Sequence, residues 1–388
     1  MRSQSITRRR ALTGLAMATV AGALALPSTG LAGVAAIQDD VLTIAPLDQI
    51  PSRIELVKQT KAKVARIDIL WSRVAPTPPV TPTDPNDPAY DFKRLDLIFS
   101  SLVASGITPI VSTYSTPDWA VAGTNIPHPT TEYNPNAPKP GAFAAFMQAV
   151  ATRYNGFFTP PGALAPLPRV RHYEVWNEPN LKAFFSVNGQ STIGGYINLV
   201  KAAYPAIKRG NTNSIVIAGV GGPRSSTGNG NVSARVWMTK LVATPANVKF
   251  DAYSQHIYPS RGPLFSTPSY DRAFPTWKSL PDIFTALDKK KKGMKLYITE
   301  AGYTTKKTEF RDVKVTFAQQ KLFLTQLFGL KDVKSPRVAA VVWFNLQDNK
   351  NWPGGLLTAT GVKKPSYNAF VAVARRPIPA ALRSTLKR

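Results

Sequence analysis

Strand-like apolar runs and amphipathic helix-like runs alternate along almost the whole chain, in segments of about 30 to 45 residues. Helical periodicity over 51–63 leads into a strand-like 64–71, and 92–105, closed by Gly106, leads into 107–112. The pattern continues with helices at 142–154, 196–208, 234–242, 280–291, 317–330 and 365–375. Between them lie strands ending near Glu178, Val220, Tyr258, Glu300 and Asn345. A weaker first strand over 41–45 brings the number of units to eight, which closes a (β/α)8 barrel. The rival is a doubly wound open sheet, which needs a glycine-rich phosphate turn after its first strand; none is present. The sequence therefore predicts an α/β fold: a TIM barrel forming a single catalytic domain over 37–388. The loops 76–88 and 123–140 follow strands and fall on the face where barrel active sites form.

Residues 1–36 are set apart from this domain. Thr7-Arg8-Arg9-Arg10-Ala11-Leu12 resembles a twin-arginine export motif, with alanine in place of the usual phenylalanine. An apolar stretch over 11–26 follows, with Gly30-Leu31-Ala32 or Val34-Ala35-Ala36 as the cleavage site. The stretch is short for a membrane span, so the expectation is a secreted or envelope-located bacterial protein with no stable membrane insertion after signal removal; a retained anchor is the alternative.

The formal charge of +26 falls to +22 without the four leader arginines. Such an excess suits a polyanionic partner, but the preferred reading is a basic surface facing water, since the run Lys289 to Lys292 reads as a solvated helix end. No nucleic-acid module or aromatic-basic interleaving is present, so nucleic acid is not an expected partner. Cysteine is absent, which excludes disulfides and thiol chemistry. His128, His172 and His256 are too scattered to suggest a metal cluster, and no cofactor or metal is expected.

Chemistry is concentrated at two strand ends. His172-Tyr173-Glu174-Val175-Trp176-Asn177-Glu178-Pro179-Asn180 is an apolar-leaning run that ends in a presented Asn-Glu pair and stops at proline. Leu296-Tyr297-Ile298-Thr299-Glu300-Ala301-Gly302 ends the same way. Glu178 ends the fourth strand and Glu300 the seventh, roughly 120 residues or three barrel units apart, so the two face each other across the mouth. A pair of carboxyl groups flanking one bond is what glycoside hydrolysis requires.

Trp176-Asn177-Glu178-Pro179-Asn180 together with Ile298-Thr299-Glu300-Ala301-Gly302 resembles the retaining glycoside hydrolases of clan A. Within the clan the wording is most similar to family 39 and related bacterial exopolysaccharide hydrolases, with family 5 next. The resemblance covers nearly the whole mature chain. It implies Glu178 as acid/base, Glu300 as nucleophile, Asn177 on the sugar 2-hydroxyl and Arg66 keeping Glu300 ionised. It further implies Tyr258, in Gln255-His256-Ile257-Tyr258-Pro259, as a donor to Glu300, with His256 near the acid/base. Trp343, in Val341-Val342-Trp343-Phe344-Asn345, would offer a ring face to the sugar. Tyr114 and Trp119 fall in Tyr114-Ser115-Thr116-Pro117-Asp118-Trp119, where Ser115 replaces the histidine of many clan members, and both are expected to contact substrate. Glu174 is read as structural. The substrate expected is a polysaccharide, oligosaccharide or cell-envelope glycan, with the basic charge leaving room for an acidic one. Endo action is the expectation; an exo-acting glycosidase or a silent carbohydrate-binding barrel are the alternatives.

Overall fold

The computed structural model describes residues 33–124, 127, 133–265, 275–309 and 311–386. Most of the expected leader and His128 lie outside the described residues. Eight strands, β1 (Val34–Gln38), β2 (Val64–Leu70), β3 (Thr108–Tyr114), β4 (His172–Val175), β5 (Ile215–Gly221), β6 (Ala252–Ile257), β7 (Lys295–Ala301) and β8 (Val338–Trp343), form a closed barrel. Each runs parallel to the next, and β8 returns to β1. The helices are α1 (Val41–Ile44), α2 (Ile50–Gln59), α3 (Trp71–Val74), α4 (Lys93–Ala104), α5 (Pro140–Arg153), α6 (Ile193–Gly210), α7 (Ala234–Val242), α8 (Leu280–Lys290), α9 (Phe317–Leu327), α10 (Pro365–Ala374) and α11 (Ala380–Leu386). None of the helices among the described residues is long and apolar enough to cross a membrane.

The first strand is not where the sequence placed it. Residues 41–45 begin the short helix α1, and the strand is β1, in register with β8 through Val34 and Ala340 and with β2 through Gln38 and Arg66. All five β1 residues are buried, between the barrel interior and the outer helices. A strand covered on both faces has no alternation, so Val34-Ala35-Ala36 cannot be told from the small apolar residues of the leader before it. Its place in the barrel means that cleavage after Ala36 would remove three strand residues, whereas cleavage after Ala32 spares the strand.

The outer helices follow from their stripes. On α6, Tyr196, Leu199, Val200, Ala203 and Ile207 recur at helical spacing and are buried, and Thr192 caps the start by accepting from the Gly195 amide at 3.3 Å. The barrel interior divides into two levels. Its amino-terminal half is apolar, with Ala36, Val64, Ile110, Ile217, Tyr297 and Val342 in one cluster. The helix α11, which the sequence pattern did not reveal, closes that end with Leu382 and Leu386. Thr108 donates to the Leu386 carbonyl at 3.1 Å, and His172 Nε2 lies 2.9 Å from the Thr385 carbonyl oxygen. Above the plug the interior turns polar, with Gln38, Arg66, Ser112, Glu174, Ser254 and Thr299 all buried.

Bulges shape the carboxyl ends of the strands. Between β6 and β7, Ser254 pairs with Tyr297 and His256 with Glu300, so three steps on β7 match two on β6. Thr299 already faces inward, hydrogen-bonded to Ser254. The extra residue turns Glu300 inward as well, where strict alternation would face it outward. β5 is irregular between Ala218 and Gly221, and Gly219 sits there at φ +93°. A Cβ at Gly219 would lie 2.2 Å from the Tyr253 ring. Gly219→Ala is therefore expected to cost about 2 kcal/mol or more, from left-handed strain and the clash together, measured as a lowered midpoint in chemical unfolding.

Candidate active site

Arg66 lies in the polar layer and is fully buried. Its Nε donates to Glu174 Oε2 at 2.7 Å, and its NH1 to Gln38 Oε1 at 2.7 Å and Glu300 Oε1 at 2.8 Å. Its NH2 donates to Asn177 Oδ1 at 2.7 Å and Ser112 Oγ at 2.9 Å. Every guanidinium nitrogen is thus engaged, and one side chain ties β1, β2, β3, β7 and the loop after β4 together. Glu174 is a buried counter-ion beneath the site, the structural role expected of it.

Glu178 stands three residues beyond β4. The backbone reaches it through two positive φ angles, 76° at Trp176 and 40° at Glu178. Conformations of this kind are rare for residues with side chains and concentrate at functional sites. Trp176 turns outward, packs on Phe143 and Phe185, and donates its indole N–H to the Phe184 carbonyl at 2.7 Å. Asn177 and Glu178 are thereby left on the inner side. Gly222 makes room for the carboxyl: a Cβ there would sit 2.9 Å from Glu178 Cδ. Asn180 holds that glycine in place, accepting from its N–H at 2.6 Å and donating to its carbonyl at 3.1 Å.

Glu178, His256 and Glu300 each offer a ligand atom, and these atoms all lie within 4.8 Å of one another. His256 Nδ1 is 2.7 Å from Glu178 Oε1 and 3.4 Å from Glu300 Oε2. Tyr258 donates its hydroxyl to Glu300 Oε2 at 2.7 Å. The three residues have metal-ligand character, but the Arg66 charge 2.8 Å from Glu300 opposes a cation there. Burial pushes the Glu178 carboxyl up to about 7, against the opposing pull of Arg66. Burial also raises Glu300, with Glu178 adding to the rise, opposed by His256, by the Arg66 charge and by the Tyr258 hydrogen bond. Burial lowers His256, which favours the neutral imidazole. Both glutamates keep some exposure, 7% for Glu178 and 8% for Glu300, so a ligand in the mouth reaches them.

Two carboxylates on the same rim were not singled out in the sequence. Asp68 is two residues beyond Arg66 on β2 and therefore shares its face; its Oδ2 accepts from Tyr114 at 3.2 Å and Gln38 at 3.1 Å. Asp40 is two residues beyond Gln38, whose Nε2 donates to Asp40 Oδ1 at 3.0 Å. Burial raises both, and at Asp40 the negative charges of Asp68 and Glu300 raise it further, well above the usual carboxylate range. For Asp68 the period of two counted from Arg66 was the available signal; Asp40 lies beyond the end of β1 and had none.

The aromatic expectations divide. Tyr114 joins the site through Asp68. Trp119 does not join the carboxylate pair: it packs edge-on against Trp71 at 5.5 Å and donates to the Ala75 carbonyl at 2.9 Å. Trp343 is fully buried, its indole N–H bound to the Gly354 carbonyl at 3.1 Å, so it offers no ring face to a ligand. Trp343 lies within β8 and packs in the core outside the barrel, with Tyr303 at 6.4 Å between ring centroids. The rings beside Glu300's partner Tyr258 are Trp352, at 4.5 Å between centroids, and Phe344, at 6.4 Å, both half-buried. Ser115, in place of the histidine, spends its hydroxyl on Ser72 at 2.7 Å and on the Asn134 amide at 3.0 Å.

A parallel barrel with one glutamate after β4 and another at the end of β7, sharing a histidine, is the architecture of a glycoside hydrolase of the clan A type. The model of glycosyl hydrolases family 39 matches residues 80–374, and the chain belongs to that family. A β-xylosidase of Caldicellulosiruptor saccharolyticus is 27% identical over 172 residues, which are 44% of this chain and 32% of that protein. A family 39 glycoside hydrolase of Bacteroides cellulosilyticus WH2 superposes with a TM-score of 0.61 at 19% identity, covering 89% of this chain and 64% of that one. A family 39 β-xylosidase of Caulobacter crescentus gives 0.61 at 16%, covering 88% and 70%. At these identities the superpositions speak for the fold. The chain spans about a third of the curated relative and under two thirds of the first solved structure.

Replacing Arg66 by methionine would leave Glu174 buried without a counter-charge. The expected cost is about 3 to 5 kcal/mol, read from equilibrium unfolding at neutral pH.

Proposed function

We propose that this protein is a retaining glycosidase that cleaves an O-glycosidic bond by double displacement, with Glu300 as nucleophile and Glu178 as acid/base. The observation that carries the reading is that Glu178 and Glu300 bring a carboxyl oxygen each to within 4.8 Å of one another, each in a different electrostatic setting. A short gap suits direct attack by a carboxylate, whereas an inverting pair stands roughly 6.5 to 9.5 Å apart to admit water. Arg66, Tyr258 and His256 surround Glu300 with groups that favour its ionised form. Glu178 has fewer such partners, and its raised pKa keeps it protonated below neutrality.

In the first step a Glu300 oxygen attacks the anomeric carbon, and Glu178 gives its proton to the leaving oxygen. The glycosyl-enzyme ester removes the negative charge of Glu300, which lowers the pKa of Glu178. Glu178, now a carboxylate, takes a proton from water as the water oxygen attacks the anomeric carbon and Glu300 departs. Asn177 spends its carbonyl on Arg66, leaving its amide nitrogen for the sugar 2-hydroxyl. Trp352 and Phe344 take the platform role assigned in the sequence to Trp343.

The rim favours a neutral sugar at the bond that is cut. Asp40 and Asp68 crowd further carboxyl groups beside Glu178 and Glu300, and Arg66 is already committed to its own partners, so a uronate there would add one more carboxylate to a buried acidic cluster. The names of the relatives, β-xylosidases and an exo-β-1,4-mannosidase, support release of single β-linked sugars from a chain end over endo action. Export through the leader, with cleavage at or before Ala32, completes the reading.

Wild-type protein and Glu300→Ala are to be digested side by side against aryl β-xylosides, β-mannosides, neutral β-glycans and a uronate polymer. Cleavage of a neutral substrate by wild type alone, with the first product retaining its anomeric configuration by NMR, is the expected outcome. An inverted first product, or wild-type rates in Glu300→Ala, overturns the assignment. The kcat/KM profile is expected to fall as pH rises through about 7, as Glu178 loses its proton. In Glu178→Gln that alkaline limb disappears, and turnover of substrates with poor leaving groups falls about 10²- to 10⁴-fold.

A further inference from the structure

Part of the charge excess gathers at one place in the fold. The carboxyl pair, Asp40 and Asp68 occupy the carboxyl ends of the strands. The carboxyl end of α8 and the segment leading into β6 lie at the opposite end of the barrel, where lysines gather around a groove of about 710 Å³. The groove is floored by Val248, Phe250 and Met294, all buried. Lys249, Lys289 and Lys291 line it and are exposed, and among the described residues none of the three is in an ion pair.

A solvated helix end explains a lysine run but not this arrangement. Lys290 is fixed in the wall, its ammonium donating to the Thr244 carbonyl at 2.8 Å, the Thr244 hydroxyl at 2.9 Å and the Pro245 carbonyl at 3.0 Å, 5.6 Å from the centre of the Phe250 ring. Those partners are neutral, so its positive charge stays uncompensated. Asp251 is the one carboxylate of the lining, and Lys208 holds it at 2.8 Å. The groove therefore presents several cations with its single anion already paired.

The lining also selects among polyanions. Its cations are lysines, compact point charges without the guanidinium fork that reads nucleic-acid edges. Phe250 is buried and Tyr204 is half-buried, with the Lys208 ammonium 5.4 Å from its ring centre, so no open ring is offered for base stacking. We infer that this groove is an anchoring site for a polyanionic glycan, a flexible chain bearing carboxylate or phosphodiester groups, on the face away from the catalytic mouth. Bound there, the chain leaves the mouth free for the neutral bond. Anchoring is read without turnover and stands apart from the glycosidase reading.

The test is binding of the full chain to immobilised polygalacturonate and polyglycerol phosphate, with dextran and duplex DNA as comparison surfaces. Wild type is expected to bind both anionic polymers, more weakly as salt is raised, and to pass over dextran. Lys249→Glu/Lys289→Glu/Lys291→Glu is expected to weaken that binding about tenfold or more. Lys306→Glu/Lys314→Glu/Lys350→Glu makes the same charge change at exposed lysines elsewhere and is expected to weaken it by less than about threefold. Equal losses in the two variants would reduce the effect to net charge and overturn the proposal. Binding to dextran as tight as to the polyanions, or tighter groove-dependent retention on DNA, would overturn it too. Thermal unfolding checks both folds, and a triple alanine variant at the groove positions replaces the glutamate one if that fails to fold.

Discussion

A single buried guanidinium holds the working end of this barrel together. Arg66 on β2 reaches Gln38, Ser112, Glu174, Asn177 and Glu300 with hydrogen bonds of 2.7 to 2.9 Å. Removing an arginine from water is costly, and the cost is offset only because every nitrogen finds an acceptor. The same contacts fix where the acceptors stand. The residue before Glu178 and the carboxylate of Glu300 both touch Arg66, so the distance between the two glutamates is set from beneath by one rigid fork.

The mouth collects carboxyl groups whose burial holds them above their ordinary pKa values, and Glu178, pushed up to about 7, keeps a proton to give below neutrality. The groove at the far end of the barrel carries lysines, although the chain as a whole is strongly basic. Net charge alone left room for an acidic substrate without requiring one. The arrangement in space separates the question of what is cleaved from the question of what is held.

The fold was largely legible because helices and strands in a (β/α)8 barrel repeat with different hydrophobic periods. The helices expected at 234–242 and 280–291 correspond closely to α7 and α8. β1 was misplaced because a short strand buried on both faces carries no alternation, and α11 escaped because its few apolar residues matter only against the barrel plug. At the site, Arg66, Asn177, Glu178, His256, Tyr258 and Glu300 are brought together from distant parts of the chain. Trp343 and Trp119 are not, since both commit their indole N–H groups and ring faces to packing.

The sequence by itself determined the alternating architecture, the two strand-end glutamates and the family to which they point. It did so because periodicity and strand-end carboxylates are local properties. Only the tertiary structure decided which way Glu300 and Trp176 face. By alternation Glu300 would point outward after Thr299, and Trp176 would point inward between Glu174 and Glu178. A bulge in β7 reverses the first, and positive φ angles after β4 reverse the second. Both departures depend on neighbouring strands and on glycines such as Gly222 that make room, and a one-dimensional period cannot record contacts between strands.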